Sequence, residues 1–410
     1  MPYNDIKNFL KSNRYKAKIF PEGKIITTFL EYVYQTMGFA GMTTQHLGMI
    51  LVALFLAFLA IYKKYEPLLL LPLAIGILIA NVPAAGLSAY DEGRLMSYLY
   101  MGIRLVVYPP LIFLCIGTMT DFAPLIANPK MAIIGLGGQL GIFVAMGTSY
   151  FLGNFLAPFI PGFEGFSLKE AGAIGIIGSS DGPTSIYTAT RLAPDLLPSI
   201  AIAAFSYMAL VPFIQPPIMK LLTTQKERVI VMPQPKEVTQ KQKIIFPIAM
   251  IIVTMLIFPA ASALVGMLML GNLIRESGVT QRFVPTLQTE LLNILTLLVA
   301  VSIGSSATAD RFLTPQTLII IFSGLLAFAF GTIGGVLTAK LLCWITGGKI
   351  NPLIGNSGVS AMPMAARISQ RMGQRYNPQN HLLMHAMGPI VASTIGSAMV
   401  AGVFISILAK

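Results

Sequence analysis

The sequence predicts an all-α polytopic membrane protein with about nine to ten spans, and three observations support this fold class. Hydrophobic residues make up 55% of the 410 residues and charged residues only 11%, whereas a soluble domain carries about 25% charged residues. Apolar runs of about 20 residues, the length that crosses a bilayer, recur along the chain. Two further stretches are rich in glycine and proline, which makes them poor straight helices and predicts re-entrant hairpins.

The apolar runs divide the chain into an N-terminal segment and a membrane domain. Residues 1–44 carry repeated lysines but no apolar stretch followed by a cleavage site. This pattern predicts a basic interfacial segment rather than a signal peptide. The membrane domain is predicted to cover 45–408. Its spans are expected near 45–62, 67–83, 100–118, 131–158, 197–216, 244–262, 288–308, 315–345 and 381–408, with a short apolar piece at 264–274.

Cysteine, histidine and net charge exclude other classes of protein. Cys115 and Cys343 lie in apolar runs and predict neither a disulfide framework nor a metal site. His381 and His385 have metal-like spacing, but a buried or helix-end polar pair is the favoured interpretation. The net charge of +12 fits basic cytoplasmic loops and anionic lipid, so no nucleic acid is expected as a partner.

One motif occurs twice. Residues 174–187 read Ile-Gly-Ile-Ile-Gly-Ser-Ser-Asp-Gly-Pro-Thr-Ser-Ile-Tyr, and residues 350–367 begin with Ile-Asn-Pro-Leu-Ile-Gly-Asn-Ser-Gly. The shared core is an Ile-Gly step followed by two small polar residues, at 177–180 and at 354–357. We interpret each copy as part of a re-entrant hairpin. The predicted hairpins are 170–190 and 350–368.

The distribution of lysine and arginine predicts how the chain is threaded. Basic clusters at 63–64, 220–243, 275–282 and 367–375 are expected on the cytoplasmic side. The first hairpin then enters from outside and the second from inside. A span–hairpin–span unit therefore occurs twice with opposite topology, as an inverted repeat whose hairpin tips meet near the midplane. The two repeats are predicted at about 131–216 and about 315–408.

Asp181 is the first candidate for an ion site. Lipid offers no water to a charge, so an acid within a broken apolar segment has to line a cavity inside the protein. Gly182 and Pro183 interrupt the helix beside it and free backbone carbonyl oxygens. Hard cations such as Na⁺ prefer oxygen ligands of this kind. The structural alternative is a carboxylate that pairs with Arg191.

Hydroxyl and amide side chains flank both breakpoints and offer neutral oxygens to a cation. Small residues also serve helix packing, so a packing role stays open for each single serine. These side chains are Ser179, Ser180 and Thr184 in the first motif and Asn351, Asn356, Ser357 and Ser360 in the second.

Two larger polar residues complete the candidates. Tyr207 is the only phenol in its span, and it either serves a cation or a proton or packs at an interface. Arg367 is predicted to end the second hairpin, where it either meets a passing anion or anchors the hairpin. An arginine at a hairpin end favours the structural role.

Several longer motifs are specific enough to indicate a family. They are Glu66-Pro67-Leu68-Leu69-Leu70-Leu71-Pro72, Asp181-Gly182-Pro183-Thr184, Gln215-Pro216-Pro217-Ile218-Met219, Arg275-Glu276-Ser277-Gly278, Asn351-Pro352-Leu353-Ile354-Gly355, Pro363-Met364-Ala365-Ala366-Arg367 and Leu383-Met384-His385-Ala386-Met387-Gly388-Pro389. Together they resemble the beta subunit of sodium-translocating, biotin-dependent decarboxylases. The resemblance covers about residues 45 to 408. This family includes decarboxylases of oxaloacetate, methylmalonyl-CoA, glutaconyl-CoA and malonate.

The resemblance implies the membrane subunit of a primary sodium pump. In this family a carboxyltransferase alpha subunit and a biotin carrier subunit deliver carboxybiotin. The beta subunit decarboxylates it, takes up an external proton and exports Na⁺. A small gamma or delta membrane subunit, a homo-oligomer such as a trimer, and a multi-pass location in a bacterial or archaeal inner (cell) membrane are also implied. Met219-Lys220-Leu221 differs from a biotin carrier's Met-Lys-Met, so no biotin is expected on this chain.

Site residues follow from the resemblance, position by position. It implies catalytic roles for Asp181, Tyr207, Ser360 and Arg367, contacts to the biotin cofactor from Asn351 and Arg367, and Na⁺ ligands at Asp181, Tyr207, Asn351 and Ser360. The neutral oxygen of Asn356 at the second breakpoint adds this residue to the predicted Na⁺ ligands. The chain also departs from the family pattern. Ser179-Ser180 stand where a Gly-Ala pair is familiar, and Ile390 stands where an asparagine is familiar.

Two other classes of function remain open on sequence physics alone. A Na⁺-coupled secondary carboxylate transporter with inverted repeats would use the same kind of site. Such a transporter would show no avidin-sensitive turnover and no partner subunits. A passive structural membrane subunit is disfavoured because it has no need of paired broken helices with an intramembrane acid.

Overall fold

The computed structural model describes residues 33–34, 37–234 and 236–409, so most of the predicted interfacial segment 1–44 lies outside the described residues. Within the described part the chain forms helices and turns but no strand, which confirms the all-α class. The main helices are α1 (Thr44–Ile61), α2 (Pro67–Ala80), α3 (Leu95–Arg104), α4 (Tyr108–Met119), α5 (Met131–Gly138), α6 (Leu140–Leu156), α7 (Leu168–Gly175), α8 (Gly182–Leu192), α9 (Leu197–Leu222), α10 (Gln240–Ile257), α11 (Ser262–Glu276), α12 (Leu292–Ser306), α13 (Pro315–Ile345), α14 (Met364–Tyr376) and α15 (Leu383–Leu408). Shorter helical turns are Ala123–Ala127, Ala157–Phe159, Ile176–Ser179, Pro194–Leu196, Gln225–Arg228, Pro259–Ala261, Phe283–Thr286, Leu287–Leu291, Ala309–Phe312 and Pro352–Gly358.

Six of the described helices are long and apolar enough to cross a membrane, and up to eight spans result if each of two bent pairs counts as one. They include Thr44–Ile61, Pro315–Ile345 and Leu383–Leu408, close to the spans expected at 45–62, 315–345 and 381–408. The helix α2, at 14 residues, is apolar but shorter than the usual span. The protein is therefore a multi-pass membrane protein, and the count of nine to ten spans stays a prediction.

Both bends in the spans have a local cause in the sequence. The helices α3 and α4 meet at 67° across a break of a few residues, where Pro109 and Pro110 start the second helix. The helix α9 bends by 61° between Tyr207 and Leu210. Pro212 lies one turn beyond and leaves the carbonyl four residues earlier without its helical donor, which kinks the helix.

Glycine allows the helices at the centre of the protein to pack at backbone contact. A Cβ at Gly138, where α5 ends, would lie 1.8 Å from the carbonyl oxygen of Gly358. A Cβ at Gly178 would lie 2.3 Å from the carbonyl oxygen of Gly141. Only glycine permits this approach. The helices α5, α6 and α13 therefore pack at backbone contact against the two glycine-rich segments.

The basic clusters predicted to be cytoplasmic come together on one face. Lys340 pairs with Glu227 at 3.5 Å, and Lys243 pairs with Glu276 at 3.8 Å. The Arg228 guanidinium lies 5.0 Å from the centre of the Tyr376 ring. Because α1 and α2 are antiparallel, the start of α1 lies on the other face: Gly38 and Gly41 pack against Pro83, beyond the end of α2.

Candidate functional site

The first glycine-rich stretch forms interrupted helix 1, which we define as residues 168–192. The helix α7 tightens into a 3₁₀ turn over Ile176–Ser179 and stops at Ser180, whose left-handed φ of 58° turns the chain. Asp181 then caps the start of α8, and its Oδ1 accepts a hydrogen bond from the Thr184 amide at 3.3 Å. The carboxylate therefore sits at the positive end of a helix in the middle of the protein.

The second stretch forms interrupted helix 2, which we define as residues 352–376. A 3₁₀ segment over Pro352–Gly358 is followed by extended chain and then by α14. The predicted end at 368 is too early, because the helix-breaking residues stop at Pro363 and the sequence after it is an ordinary amphipathic helix to Tyr376. Arg367 consequently lies near the start of α14 rather than at the end of the segment.

The two interrupted helices meet directly. The Ser360 amide donates to the carbonyl oxygen of Ser179 at 2.9 Å, a backbone bond that joins the two breakpoints. Because Asp181 follows Ser179 by two residues, Ser360 and Asp181 belong to one locality. Ser360 is 8% exposed and Asp181 is 4% exposed, so both residues are buried inside the protein.

Within residues 37–234 and 236–409, no basic side chain forms an ion pair with Asp181. Its Oδ2 accepts a hydrogen bond from Ser397 at 2.9 Å, and none of the ion pairs among the described residues involves it. Arg191, the partner in the structural alternative, lies exposed on the surface. Beside the carboxylate, the buried hydroxyl oxygens of Ser180 and Thr184 have no hydrogen-bond partner in the described part of the chain. A buried acid without a counter-charge, next to unsatisfied oxygens, is suited to a cation.

The helix α15 supplies the remaining polar groups, and these are not among the site residues predicted from the sequence. Ser397 contacts Asp181, and Ser393, one turn earlier, contacts the Ser360 hydroxyl at 3.0 Å. Gln139, at the joint between α5 and α6, donates to the Ser393 hydroxyl at 3.0 Å. The available signal was the spacing of the two serines, which places them on one face of a helix.

Tyr207 lies close to the site without joining it. Its hydroxyl donates to the carbonyl oxygen of Ile321 on α13, and its ring packs where a Cβ at Gly324 would stand. Ile177, from interrupted helix 1, contacts the same glycine. The structure therefore places the ring of Tyr207 beside the first breakpoint and gives its hydroxyl a partner other than Asp181.

Asn356 is engaged in a buried amide pair. Its side chain donates to Gln215 Oε1 at 2.9 Å, and Gln215 donates back to the Asn356 carbonyl at 3.0 Å. The oxygen of the Asn356 side chain accepts from Ser369 at 2.5 Å. Ser357 lies in the same network, 3.4 Å from Ser369. These polar groups tie interrupted helix 2 to α9 and leave Asn356 no free oxygen for an ion.

Asn351 lies outside the locality of Asp181. Its Oδ1 caps the 3₁₀ segment by accepting from the Leu353 amide at 2.9 Å. Its Nδ2 donates to the carbonyl oxygens of Arg228 and Ile230 at 3.2 and 2.8 Å. The predicted use of Asn351 as a Na⁺ ligand therefore finds no support in this geometry.

Arg367 is exposed and takes part in none of the ion pairs among the described residues. It lies near Glu66, in the turn before α2. Burial raises the pKa of Glu66, and the positive charge of Arg367 offsets part of that rise. Because the Arg367 guanidinium is exposed, it can bind an anion that reaches the basic face, by which we mean the face where the predicted cytoplasmic clusters lie.

Two interrupted helices that meet at a buried carboxylate, with no ion-pair partner in the described ranges, are typical of ion-translocating membrane proteins. Comparison with known proteins gives the family. Residues 45–408 match the family described as Na⁺-transporting oxaloacetate decarboxylase beta subunit, and the chain belongs to this family. It is thus a beta subunit of a Na⁺-translocating decarboxylase, which confirms the resemblance seen in the motifs.

Individual relatives extend over nearly the whole membrane domain. The chain is 52% identical over 381 residues to the methylmalonyl-CoA decarboxylase subunit beta of Veillonella parvula, covering 93% of this chain and 98% of the relative. It is 50% identical over 379 residues to the glutaconyl-CoA decarboxylase subunit beta of Acidaminococcus fermentans, covering 92% and 97%. Identity to the oxaloacetate decarboxylase beta chain of Klebsiella pneumoniae is 44% over 424 residues, covering 89% and 96%.

Proposed function

We propose that this chain decarboxylates carboxybiotin and couples that reaction to Na⁺ export and to uptake of an external proton. The observation that carries the proposal is the Asp181 carboxylate, which is 4% exposed and has no cationic partner among the described residues. Keeping such a charge unpaired inside a membrane protein is costly unless an ion completes the site. Substrate-driven Na⁺ uptake that avidin blocks is the experiment that tests this function.

Na⁺ is the cargo, and we propose that its oxygen shell is built around Asp181. The nearest candidates are the hydroxyl of Ser397 and the hydroxyls of Ser180 and Thr184, which have no hydrogen-bond partner among the residues that the structure describes. Ser360 and Ser393 stand next to them across the contact between the two interrupted helices. All are neutral oxygens around one carboxylate, the donor set that a hard monovalent cation prefers.

The paired contacts support an inverted repeat with two re-entrant hairpins. In the first unit Gly178 packs on Gly141 of the preceding long helix, and in the second unit Gly355 packs on Gly335 of the long helix α13. Each unit also ends in a long helix, α9 or α15, that contacts an interrupted segment. If α2 and α11 are counted as short spans in addition to the eight described above, the chain has the proposed ten spans. The hairpins that contain interrupted helix 1 and interrupted helix 2 then enter the membrane from opposite sides.

Carboxybiotin would reach the basic face on a biotin carrier subunit after an alpha subunit has loaded it. When present there, it supplies the free energy of decarboxylation. Arg367 fits this group because its guanidinium is exposed and takes part in no ion pair that the described residues form, whereas Asn351 does not fit because its amide is already fully bonded. We further propose a small gamma or delta membrane subunit, assembly into a homo-oligomer such as a trimer, and location in the inner (cell) membrane.

Ser397 provides a direct test of the shell. Ser397→Ala removes the hydroxyl that contacts Asp181, and we expect the Na⁺ concentration for half-maximal decarboxylation to rise about tenfold, the typical effect of losing one bond to a charged group. Half-saturation should also rise as the pH falls, because a proton and Na⁺ compete for one carboxylate. The measurement is decarboxylation rate against Na⁺ concentration at several pH values.

The matched control is Ser306→Ala, which removes an equally buried serine that bonds to the carbonyl three residues earlier on α12. It should leave half-saturation unchanged. Equal Na⁺ responses of the two variants, together with a half-saturation that does not depend on pH, would exclude Ser397 and a shared site for Na⁺ and the proton.

The competing function is a Na⁺-coupled secondary carboxylate transporter, for which the same Asp181 site would serve. Family membership favours the decarboxylase subunit. In a transporter, an imposed gradient of the carboxylate would drive Na⁺ movement. This movement would need no decarboxylation and would be insensitive to avidin.

A further inference from the structure

One loop on the basic face is held to both ends of interrupted helix 2. We define the clasp as residues 223–230, between α9 and α10. Three consecutive carbonyl oxygens of the clasp accept hydrogen bonds from asparagine side chains. Asn351 donates to the carbonyls of 228 and 230 at 3.2 and 2.8 Å, Asn380 donates to that of 228 at 3.1 Å, and Asn377 donates to that of 229 at 3.4 Å. Asn351 precedes interrupted helix 2, and the other two asparagines follow it.

Arg228, a residue of the clasp, adds side-chain contacts to both α9 and α14. Its Nη1 donates to the Tyr376 hydroxyl at 3.0 Å, and its guanidinium stacks 5.0 Å from the centre of that ring. Its Nε donates to the Thr223 hydroxyl at 2.9 Å, and its Nη2 donates to the carbonyls of Lys220 and Thr223. One side chain therefore joins the end of α9 to the end of α14.

The clasp is also fixed to α13. Lys340 donates to the Leu222 carbonyl at 3.1 Å and pairs with Glu227 at 3.5 Å. Deeper in the protein, the reciprocal amide pair of Gln215 and Asn356 joins α9 to interrupted helix 2 a second time. Two levels of contact therefore hold α9 and interrupted helix 2 together as one unit.

These contacts occupy the hydrogen-bonding groups of the Asn351 side chain. Both its amide hydrogens and its oxygen have backbone partners, and the side chain is fully buried. A buried amide whose donors lose their partners destabilises the local structure. Asn351 therefore sets where interrupted helix 2 begins, and the same segment delivers Ser360 to the Ser179 carbonyl.

We propose that Asn351 and Arg228 are positioning residues: they lock the clasp across both ends of interrupted helix 2 and thereby hold Ser360 in register with Ser179 and Asp181. This inference rests on the proposed function insofar as the register matters for Na⁺. The same contacts couple the two parts in the opposite direction. A shift of interrupted helix 2 therefore changes the solvent exposure of residues 223–230 on the basic face.

The substitution Asn351→Asp separates positioning from ligation. Aspartate still accepts from the Leu353 amide but offers no donor to the clasp carbonyls and repels them. We expect half-saturating Na⁺ to rise about tenfold in the purified complex, with a smaller change in maximal rate. Were Asn351 a Na⁺ ligand, the added charge would instead keep or lower half-saturation.

Variants at other clasp contacts supply the second arm. Arg228→Gln and Asn380→Ala, neither of which touches the Asp181 locality, should raise half-saturating Na⁺ in the same direction as Asn351→Asp. The double variant Asn351→Asp/Arg228→Gln should show no more than the larger single effect, because both changes open one unit. Additive effects, or normal Na⁺ dependence in Arg228→Gln and Asn380→Ala, overturn the proposal.

Labelling of the loop gives a readout independent of activity. In an Ile230→Cys background, where the native side chain is partly buried, a membrane-impermeant maleimide should react several-fold faster when Asn351→Asp, Arg228→Gln or Asn380→Ala is added. The matched control is Asn81→Asp, which removes a buried amide that also donates to two carbonyls, at 2.8 Å each, but lies between α2 and α12. It should change neither the labelling rate nor half-saturation.

These readouts distinguish failure of the clasp from failure of the proposed function. Faster labelling in a protein whose wild-type turnover shows no Na⁺ dependence would uphold the clasp and reject the sodium site. Na⁺-dependent wild-type turnover with unchanged labelling and half-saturation in all three clasp variants would reject the clasp alone.

Discussion

Asp181→Asn is expected to abolish Na⁺-dependent decarboxylation in the assembled complex while the chain still inserts into the membrane. The substitution keeps the size of the side chain and removes the charge that Asp181 brings to the contact between the two interrupted helices. The amide offers no charge to draw a dehydrated cation into a site whose other groups are neutral hydroxyls. The measurement is decarboxylation rate and Na⁺ transport at matched protein levels.

Asp195→Asn is the matched control for this variant. Asp195 is 92% exposed and pairs with Arg311 at 3.5 Å on the surface, and surface pairs of this kind contribute about 0–1 kcal/mol. The control should therefore retain Na⁺ transport. Near-normal transport by Asp181→Asn at equal protein levels would show that Asp181 is not the sodium site.

Gly138→Ala is expected to have the second-largest effect, because it pushes interrupted helix 2 away from the end of α5. The added methyl group would stand 1.8 Å from the carbonyl oxygen of Gly358, and that oxygen belongs to backbone that cannot rotate away. Overpacking in a close-packed core costs about 1–3 kcal/mol and more where backbone has to move. We expect earlier thermal inactivation in detergent and loss of Na⁺-dependent turnover.

A matched variant lies nine positions further on. Gly147, on α6, has nothing within 4 Å of the position of a Cβ, so Gly147→Ala should leave turnover intact and stabilise the helix slightly, by about 0.5–1 kcal/mol. If Gly138→Ala behaves like Gly147→Ala, the backbone contact at the centre of the site is not required.

The sequence was sufficient to predict the class, most long spans and the two breakpoints, because these depend on local properties. Apolar run length predicts a span, and Gly182-Pro183 prevents a preceding helix from continuing while it allows a new helix to begin. Asp181 could be singled out because an acid in an apolar segment is rare without a purpose. The end of interrupted helix 2 was missed, since residues after Pro363 are ordinary helix formers that a rule based on glycine and proline does not follow.

The partners of the polar residues could not be predicted in the same way. Asn351, Asn356 and Ser360 look alike as oxygen donors in sequence, yet only Ser360 meets the Asp181 locality. Asn351 bonds to a loop more than a hundred residues earlier in the chain, and Ser397 reaches Asp181 across 216 positions. Contacts of this range depend on packing of the whole membrane domain.

The most direct test of the central claim is Na⁺ transport by the purified complex in sealed proteoliposomes. We expect the decarboxylase substrate, added outside proteoliposomes whose cytoplasmic protein face points outward, to drive ²²Na⁺ uptake against its gradient. Avidin should stop this uptake, Asp181→Asn should lack it, and Asp195→Asn should retain it. Uptake that runs only down an imposed gradient and is indifferent to avidin would contradict a decarboxylation-driven pump, and substrate-driven uptake that survives Asp181→Asn would contradict a sodium site at Asp181.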